Sequence, residues 1–342
     1  MTTKEPAYHL NDIRHYYGDT KVLEIDTLKI EESSITGLIG PNGSGKTTLL
    51  KLLAFAVKPT RGIILYKGRP EVPFSPAIRS KVTLLTQKPY LLKRTVFENV
   101  AYGLKIRKDK NRLEERVKNA LLTVGLDFQK FAPRKWHELS GGEAQRVAMA
   151  ARLILKPEVL LLDEPIASVD TESAGLIRDA SLKARENWGA TLVIASHDLQ
   201  WLYSISDRQL SIFNGNIFST GMENIITGPF EQGDDKIVVK KLDDGQIITL
   251  TAPEKKTGIA VIRKKSISID LEKQADQSFL NQLSGQIASM LLEKKTGHIM
   301  ATIYIHDLSF VLRLTPGQIS SLDLYPGKKV ILKFQSTDVE WI

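Results

Sequence analysis

The stretch that most constrains this chain is GPNGSGKT at residues 40–47, which matches the phosphate-loop pattern G-x-x-x-x-G-K-[ST]. It lies between the apolar run ITGLIG (35–40), typical of a strand, and TTLLKLL (47–53), which has helical spacing. The glycines let consecutive backbone N–H groups turn toward one anion, and the helix N-terminus adds partial positive charge. Lys46 would reach the β- and γ-phosphates, and Thr47 would ligate Mg²⁺. The sequence therefore predicts a nucleoside triphosphate site.

The first 230 residues alternate short apolar runs with helical segments, which is the pattern of an α/β fold. The runs are almost continuously apolar, as in parallel strands that helices cover on both faces. They are ITGLIG (35–40), VTLLTQ (82–87), VLLLDE (159–164) and TLVIAS (191–196). The segment 90–135 interrupts this alternation with further helical patterns. We therefore predict an inserted helical subdomain over about residues 90–155.

The character of the sequence changes near TGPFEQGDD (227–235), which is typical of a turn-rich linker. Beyond it, short β-branched runs alternate with turn sequences such as DDG and YPGKK. Such spacing indicates a small all-β barrel. We predict two domains, residues 1–230 and 236–342. KKTG occurs at 255–258 and again at 294–297, but this match is too short to establish an internal repeat.

Composition limits the classes of protein that remain. The apolar content of 42% and charged content of 25% are ordinary for a soluble globular chain, and the absence of cysteine excludes disulfides and thiolate sites. We expect no signal peptide, and no run approaches the ~20 apolar residues that span a bilayer. The net charge of +8 suits phosphates or anionic surfaces. Because the sequence has neither a Cys/His finger nor a basic arm, we expect no nucleic-acid partner.

The run VLLLDEP ends in two carboxylates, Asp163 and Glu164. Because side chains alternate along a strand, we predict that the two point opposite ways. Asp163 would face Mg²⁺ through a water molecule, and Glu164 would act as general base on the attacking water. The alternative is a solvated strand end, and the phosphate loop upstream favours the catalytic interpretation.

A second glycine-rich turn occurs in HELSGGEAQR (137–146). Ser140 and Glu143 have the spacing of a capping box, so a capped helix start is one sufficient interpretation. Capping does not require Gly141 and Gly142, which weaken the first turn and expose its N–H groups. We therefore predict that an anion approaches this turn.

Together these motifs resemble those of the ATP-binding-cassette (ABC) ATPases. The correspondences are LSGGE (139–143) with the signature motif, Gln87 with the Q-loop glutamine, ASVD (167–170) with the D-loop, His197 with the switch histidine, and Tyr17 with the aromatic that stacks on adenine. All occur in family order across residues 8 to about 225. Without the other motifs, His197 could be an ordinary polar side chain on the surface, Gln87 would carry no functional signal, and Tyr16 and Tyr17 could be core aromatics.

The resemblance implies a P-loop NTPase fold with an inserted helical subdomain, working as a head-to-tail homodimer that hydrolyses ATP with Mg²⁺. The implied catalytic residues are Glu164, His197 and Gln87, and the implied metal site is Thr47, Gln87 and Asp163. The implied nucleotide-binding residues are Tyr17, Asn42, Gly43, Ser44, Gly45, Lys46, Thr47 and Thr48. From the partner chain, Ser140, Gly141 and Gly142 would cap the γ-phosphate.

The β-rich tail resembles the OB-like TOBE/MOP domains of importer ATPases. SFLNQLSG (278–285) is similar to the start of such a domain, and LYPGKKVILKFQSTDV (324–339) to its closing strands; AVIRKKSISI (260–269) lacks the usual Pro–acid pair. The closing STDV and the phosphate-loop region most resemble molybdate and tungstate importers. This implies a peripheral subunit on the cytoplasmic face of the membrane, working with integral-membrane permease subunits and indirectly with a solute-binding protein.

Other functions remain open at this stage. A sugar, polyamine or ferric-ion importer carries a similar tail, and a soluble non-transport ABC ATPase or an exporter subunit shares the cassette. In molybdate relatives the tail can bind oxyanion through two basic residues, but the matching positions here are Leu280 and Gln335. Ser278 and Asn281 remain. Because an anion site without charged donors is weaker, we expect a tail that mainly serves structure and dimerisation.

Overall fold

The computed structural model describes residues 5–167, 169–218, 224–233, 236–253, 259–273, 280–293, 296–306 and 308–341. The chain divides into two compact units, Met1–Leu202 with Ser206–Ser219 and Tyr203–Ile205 with Thr220–Ile342. The boundary lies before the turn-rich segment 227–235 that we predicted as the linker. The reason is that Asn224–Thr227 is a strand and pairs with Ile259–Ile262 of the second unit. The KKTG sequence at 255–258 lies outside the described residues.

The first unit is built on one large sheet. Its strands are β1 (Tyr8–Tyr17), β2 (Thr20–Ile30), β3 (Ile35–Ile39), β4 (Arg61–Tyr66), β5 (Arg69–Pro70), β6 (Val82–Leu85), β7 (Val159–Asp163), β8 (Thr191–Ala195), β9 (Arg208–Phe213) and β10 (Asn216–Phe218). Their order is β5-β4-β1-β2-β10-β9-β3-β8-β7-β6. The half from β9 to β6 is parallel, and β1 pairs antiparallel with β2 and β4.

The parallel half contains all four strands that the apolar runs predict. Every residue of β3, β7 and β8 is buried, because helices cover both faces of this part of the sheet. The carboxyl ends of parallel strands meet at one edge, where α/β folds place their ligand sites. The residues that follow β3, β7 and β8 therefore lie close together.

Helices follow these strands along the chain, and the last of them crosses the boundary into the second unit. They are α1 (Lys46–Leu53), α2 (Pro76–Arg79), α3 (Val96–Ile106), α4 (Leu113–Thr123), α5 (Phe128–Phe131), α6 (Gly141–Leu153), α7 (Thr171–Trp188) and α8 (Leu199–Ile205), with a 3-10 turn at Trp136–Glu138. The helices α3 to α6 fall within the predicted helical subdomain. Helix α1 buries an apolar stripe in the main core, namely Leu49, Leu50, Leu52 and Leu53. That core includes Leu38 of β3 and Leu161 of β7, so α1 is fixed beside the strand ends.

The second unit is rich in β-structure, as the sequence predicts. Its strands are β11 (Asn224–Thr227), β12 (Glu231–Gln232), β13 (Ile237–Lys241), β14 (Ile247–Thr251), β15 (Ile259–Ile262), β16 (Ser268–Asp270), β17 (Leu280–Glu293), β18 (His298–Ile305), β19 (Leu308–Leu314), β20 (Lys329–Gln335) and β21 (Val339–Trp341). They form sheets β11-β15-β21, β12-β13-β14 and β16-β20-β17-β18-β19. A 3-10 turn (Lys264–Ser266) and a short helix, α9 (Pro316–Ser321), complete this unit. The core contains the stacked rings of Phe310 and Phe334.

None of the helices in the described part of the chain is both long enough and apolar enough to span a membrane.

Candidate functional site

One cleft in the first unit collects most of the predicted nucleotide and catalytic residues. It is lined by Val22, Asn42, Gly43, Ser44, Gly45, Lys46, Thr47, Thr48, Gln87, Asp163, Glu164 and His197. These residues come from β2, from the carboxyl ends of β3, β6, β7 and β8 and the residues that follow them, and from the start of α1. Of this set, only Val22 was not predicted, because it belongs to no motif.

The phosphate loop connects β3 to α1 through Gly45, whose φ of 109° is rarely available to other residues. A Cβ at this position would lie 2.7 Å from a methyl group of Leu23 and 2.9 Å from the Val22 carbonyl oxygen. Glycine is therefore required both for the turn and for the close approach of β2. Since no side chain caps α1, its first N–H groups are available to an anion in the cleft.

The Lys46 side chain is buried against the loop that precedes it. Its Nζ donates to the Gly40 carbonyl at 2.6 Å and to the Pro41 carbonyl at 3.0 Å. Burial lowers the pKa of Lys46, and the nearby Glu164 and Asp163 carboxylates act in the opposite direction. This position holds a cation against the phosphate loop, where it can approach a bound phosphate.

Thr47 and Asp163 meet at the centre of the cleft. The Thr47 hydroxyl donates to Asp163 Oδ2 at 2.8 Å. Asp163 is the last residue of β7 and is buried, and this burial raises the pKa of its carboxyl group. A hydroxyl and a carboxylate oxygen at this separation are suitable oxygen ligands for a small hard cation.

Glu164 does not continue β7, so our prediction that strand alternation separates it from Asp163 was wrong. Its φ is +47°, and its N–H donates to the Ala195 carbonyl at 2.9 Å. The backbone turns at this residue, and both carboxylates line the same cleft. Burial raises the pKa of Glu164, while the hydrogen bond from the His197 backbone acts against this shift.

His197 links Glu164 to the phosphate loop. Its backbone N–H donates to Glu164 Oε2 at 3.1 Å. Its ring Nε2 lies 3.1 Å from Asn42 Oδ1 and 3.2 Å from Glu164 Oε1. The side chain is 55% exposed toward the cleft. Gln87 lies just after β6, is exposed, and lines the cleft at the same edge of the sheet as the end of β7.

Four predicted nucleotide-binding residues lie outside this cleft. Tyr17 ends β1 and is 49% exposed, with its ring edge-on to His15 at a centroid distance of 4.8 Å. Ser140, Gly141 and Gly142 lie at the start of α6 in the helical subdomain. The cleft of a single chain therefore contains the phosphate loop and the carboxylates without the LSGGE turn.

The LSGGE turn has the predicted capping box. Ser140 N–H donates to Glu143 Oε2 at 2.8 Å, and Glu143 N–H donates to Ser140 Oγ at 3.3 Å. The two glycines differ. A Cβ at Gly142 would lie 2.8 Å from Asp170 Oδ2 and from Ser173 Oγ, whereas no atom of the described residues lies within 4 Å of a Cβ at Gly141. Packing against α7 thus explains Gly142, so the predicted approach of an anion is not needed to account for this glycine.

Two further residues near the cleft escaped the sequence analysis. Arg178 of α7 forms an ion pair with Asp198, the residue after His197. Asp198 had a signal in the sequence, since it directly follows His197 in IASHDL. Arg178 had none, because only the tertiary fold brings α7 to this turn. The Ser168 position of the ASVD motif lies outside the described residues.

Sequence comparison identifies relatives over most of the first unit. The family model described as ABC transporter matches residues 23–167. The tungstate uptake system ATP-binding protein TupC of Peptoclostridium acidaminophilum is 37% identical over 209 residues, which cover 61% of this chain and 95% of that protein. A probable anion import ATP-binding protein of Haloferax volcanii is 35% identical over 68% of this chain and 85% of its own length. The spermidine/putrescine import protein PotA of Photobacterium profundum is 32% identical over 74% of this chain and 67% of its own length.

Solved structures of ABC cassettes share the fold. cbiO1 from Clostridium perfringens, part of the ABC transporter complex cbiONQ, superposes with a TM-score of 0.56 at 28% identity and covers 64% of this chain and 88% of its own. The dimeric bacterial cassette MJ0796 superposes with a TM-score of 0.57 at 27% identity and covers 61% of this chain and 96% of its own. A dimeric post-hydrolysis state of the same cassette contains ADP and Pi. The cleft and these similarities agree, and the chain belongs to the ATP-binding, ATP-hydrolysing proteins of the ABC transporter family.

Proposed function

We propose that this protein powers an importer for a small oxyanion, with tungstate first and molybdate second, by hydrolysing ATP on behalf of a partner permease. The observation that carries the proposal is the 37% identity to a tungstate uptake ATPase, which extends over 95% of that relative. The Haloferax anion-import relative supports the same substrate class. A polyamine importer is the second candidate, because several spermidine/putrescine import ATPases match at 32–36% identity.

ATP would bind with its phosphates in the loop 40–47 and its base near Tyr17. Lys46 would exchange its bonds to the Gly40 and Pro41 carbonyls for the β- and γ-phosphates. The oxygens of Thr47 and Asp163, 2.8 Å apart, fit Mg²⁺, and Gln87 would complete this side of the site. When bound, Mg²⁺ would neutralise charge that develops on the phosphates.

Glu164 would act as the general base on the attacking water. A carboxylate with a raised pKa accepts a proton more readily near neutral pH than an ordinary one. The backbone N–H of His197 orients one carboxylate oxygen, and the His197 ring lies next to the other oxygen and to Asn42. His197 would thus sense the γ-phosphate while its own turn holds the base in place.

The LSGGE turn would act on a second chain. Ser140 and Gly141 are exposed and lie outside the cleft of their own chain. In a head-to-tail dimer, this turn would close over ATP bound by the partner's loop. Hydrolysis would then require two chains, and the dimeric structures of the related cassette are consistent with this arrangement.

The helical subdomain offers a docking site for a permease. Exposed aromatic and aliphatic side chains follow the Q-loop, including Tyr90, Tyr102 and Ile106. Asn99 fixes the intervening segment, since it accepts from Leu92 N–H at 2.7 Å and donates to the Leu92 carbonyl at 3.1 Å. We propose that permease subunits bind here on the cytoplasmic face of the membrane, and that a solute-binding protein delivers the substrate from the other side.

The second unit would be a TOBE/MOP-like domain that serves mainly structure and dimerisation. Leu280 and Gln335 are paired across β17 and β20, and the Gln335 N–H donates to Asp338 Oδ2 at 2.8 Å. The Asn281 amide is engaged with Thr249, whose N–H it accepts at 2.7 Å and whose carbonyl it contacts at 2.9 Å. The negative charge of the Asp338 carboxylate beside Gln335 would repel a bound oxyanion. Ser278 lies outside the described residues.

The transport proposal is tested with the complex reconstituted in vesicles. We expect that a solute-binding protein loaded with tungstate stimulates ATP hydrolysis more than one loaded with molybdate, and that spermidine has no effect. Stimulation by spermidine alone would replace the proposal with the polyamine alternative. Glu164→Gln is the inactive control: it should bind ATP while turnover falls about 10²–10⁴-fold. Glu158→Gln, at the other end of β7, should retain turnover.

A further inference from the structure

The position of the His197 ring depends on the turn 196–198 between β8 and α8. The ring contacts Asn42 and Glu164, yet it is 55% exposed. Packing around the ring therefore restrains it only in part. The backbone of the turn must supply the rest, because the same turn also carries the N–H that orients Glu164.

Asp198 fixes this turn from both sides. Its N–H donates to Ser196 Oγ at 3.1 Å, which closes the turn on itself. Its Oδ1 accepts from Trp201 N–H at 2.8 Å and caps α8. Its Oδ2 pairs with Nη2 of Arg178. Both oxygens of this one carboxylate are therefore engaged, one by its own helix and one by a neighbouring helix.

Arg178 reaches the turn from α7 and contacts it twice. Besides the ion pair with Asp198, its guanidinium lies over the Trp201 ring, 5.6 Å from the centroid. A planar guanidinium suits this combination of a carboxylate contact and a stacked aromatic face. One side chain therefore holds both the cap and the first turn of α8.

Helix α7 begins next to the ASVD motif, with Asp170 as its N-cap. Thr171, Ala174 and Arg178 of this helix line a second cleft together with residues of the His197 turn and Glu164. Gly142 of the LSGGE turn also packs against the start of α7. Helix α7 is thus in contact with the elements that would act on ATP in both chains of a dimer.

We propose that Arg178 is a positioning residue for ATP hydrolysis. Its ion pair with Asp198 holds the turn 196–198 in place, and this keeps the His197 ring within contact distance of Glu164 and Asn42. Because Arg178 belongs to α7, the position of the ring also depends on the position of α7. The inference rests on the proposed role of His197 and deepens it by naming the residue that holds the histidine in place.

Loss of Arg178 affects turnover and leaves ATP binding unchanged, because none of its contacts within the described residues involves the phosphate loop. A displacement of about 1 Å at a catalytic group can lower a rate about 10²-fold. We therefore expect Arg178→Gln to lower kcat by about 10- to 100-fold, while the Kd for ATP changes by no more than about twofold. Arg178→Lys keeps the charge without the planar fork and recovers part of kcat.

Arg185 provides a matched control on the same helix. Its side chain is 35% exposed, against 36% for Arg178, and it also pairs with an aspartate, Asp207, at 2.9 Å. Its Nε donates to the Ser33 carbonyl at 3.0 Å, away from the His197 turn. Arg185→Gln removes the same charge and the same type of ion pair, so it should lower the melting temperature but leave kcat within about twofold of wild type.

The experiment measures kcat, KM, the Kd for ATP and the melting temperature of the full-length protein. The variants are Arg178→Gln, Arg178→Lys, Arg185→Gln, Asp198→Asn and His197→Ala. We expect kcat to fall in Arg178→Gln and to stay close to the wild-type value in Arg185→Gln. We also expect the Arg178→Gln/Asp198→Asn double variant to have the same kcat as Arg178→Gln, because each of the two changes removes the same ion pair.

Equal kcat values for Arg178→Gln and Arg185→Gln, with His197→Ala inactive, would overturn the positioning role alone. Full turnover of His197→Ala would instead remove the proposed function of the histidine and this inference with it. A loss of ATP affinity that accounts for the whole effect of Arg178→Gln would also contradict the inference. If Arg178→Gln does not fold, Arg178→Lys is compared with Arg185→Lys, and equal kcat values again overturn it.

Discussion

The Thr47 hydroxyl donates a 2.8 Å hydrogen bond to Asp163 Oδ2, so the start of α1 and the end of β7 meet at one point in the cleft. The two oxygens come from segments more than a hundred residues apart in the chain. They fit one small divalent cation between the protein and the phosphates.

Thr47→Val keeps the shape of the side chain and removes the hydroxyl. We expect ATP binding in EDTA to persist, because Lys46 and the loop N–H groups remain. The gain in affinity on adding Mg²⁺ should fall by at least about tenfold, as measured by titration with a fluorescent ATP analogue. Thr47→Ser keeps the hydroxyl and is the control. An undiminished Mg²⁺ effect in Thr47→Val would remove Thr47 from the metal site.

The raised pKa of Glu164 predicts how stability depends on pH. Burial disfavours the charged carboxylate in the folded state, so at pH 8 this group destabilises the nucleotide-free protein. The penalty is present above the folded pKa, declines as the pH falls through it, and is gone below the unfolded value of about 4.3. We expect Glu164→Gln to melt higher than wild type at pH 8, with no difference below about pH 4. A lower melting temperature at pH 8 would contradict this.

The two glycines of LSGGE should respond differently to alanine. At Gly142 a Cβ would lie 2.8 Å from the Asp170 carboxylate, so Gly142→Ala should lower stability by about 1–3 kcal/mol. At Gly141 there is open space, and alanine should raise helix stability by up to about 1 kcal/mol. Gly141→Ala should nevertheless slow hydrolysis, because the exposed backbone would approach the partner's γ-phosphate. Normal hydrolysis in a stable Gly141→Ala protein argues against that approach.

Tyr17 should contribute to ATP affinity through stacking, which is worth about 1–3 kcal/mol per base. Tyr17→Ala is therefore expected to weaken ATP binding by about tenfold or more. The adjacent Tyr16 is also exposed, at 39%, and Tyr16→Ala is the control that should bind normally. Equal affinities of the two variants for ATP would leave Tyr17 without a role in binding the base.

The amino-acid sequence was sufficient to predict those features that depend on residues close together in the chain. The phosphate loop has a fixed spacing, and β3, β7 and β8 are apolar throughout because both faces are buried. The capping box at Ser140 is likewise local, and the structure confirms it. The antiparallel strands β1, β2 and β4 were not predicted, because polar and charged residues interrupt their apolar positions and β4 pairs with β1, a strand distant from it in sequence.

The features that were missed depend on tertiary packing. Strand alternation fails at Glu164 because its φ of +47° turns the backbone out of β7, which no residue pattern in VLLLDEP indicates. The need for Gly142 arises from α7, and so does the contact of Arg178 with Asp198. Each joins segments distant in sequence, whose approach is set by how α6, α7 and α8 pack.

In the proposed head-to-tail dimer, ATP is hydrolysed in a site made by two chains. Ser140→Arg and Lys46→Ala should each abolish hydrolysis alone, although Ser140→Arg should still bind ATP. In a mixed dimer, one site carries both lesions and the other carries none, so activity should return to about a quarter of the wild-type rate on random mixing. Wild-type turnover by Ser140→Arg alone, or a mixture as inactive as its components, would show that the active site is not shared between two chains in this way.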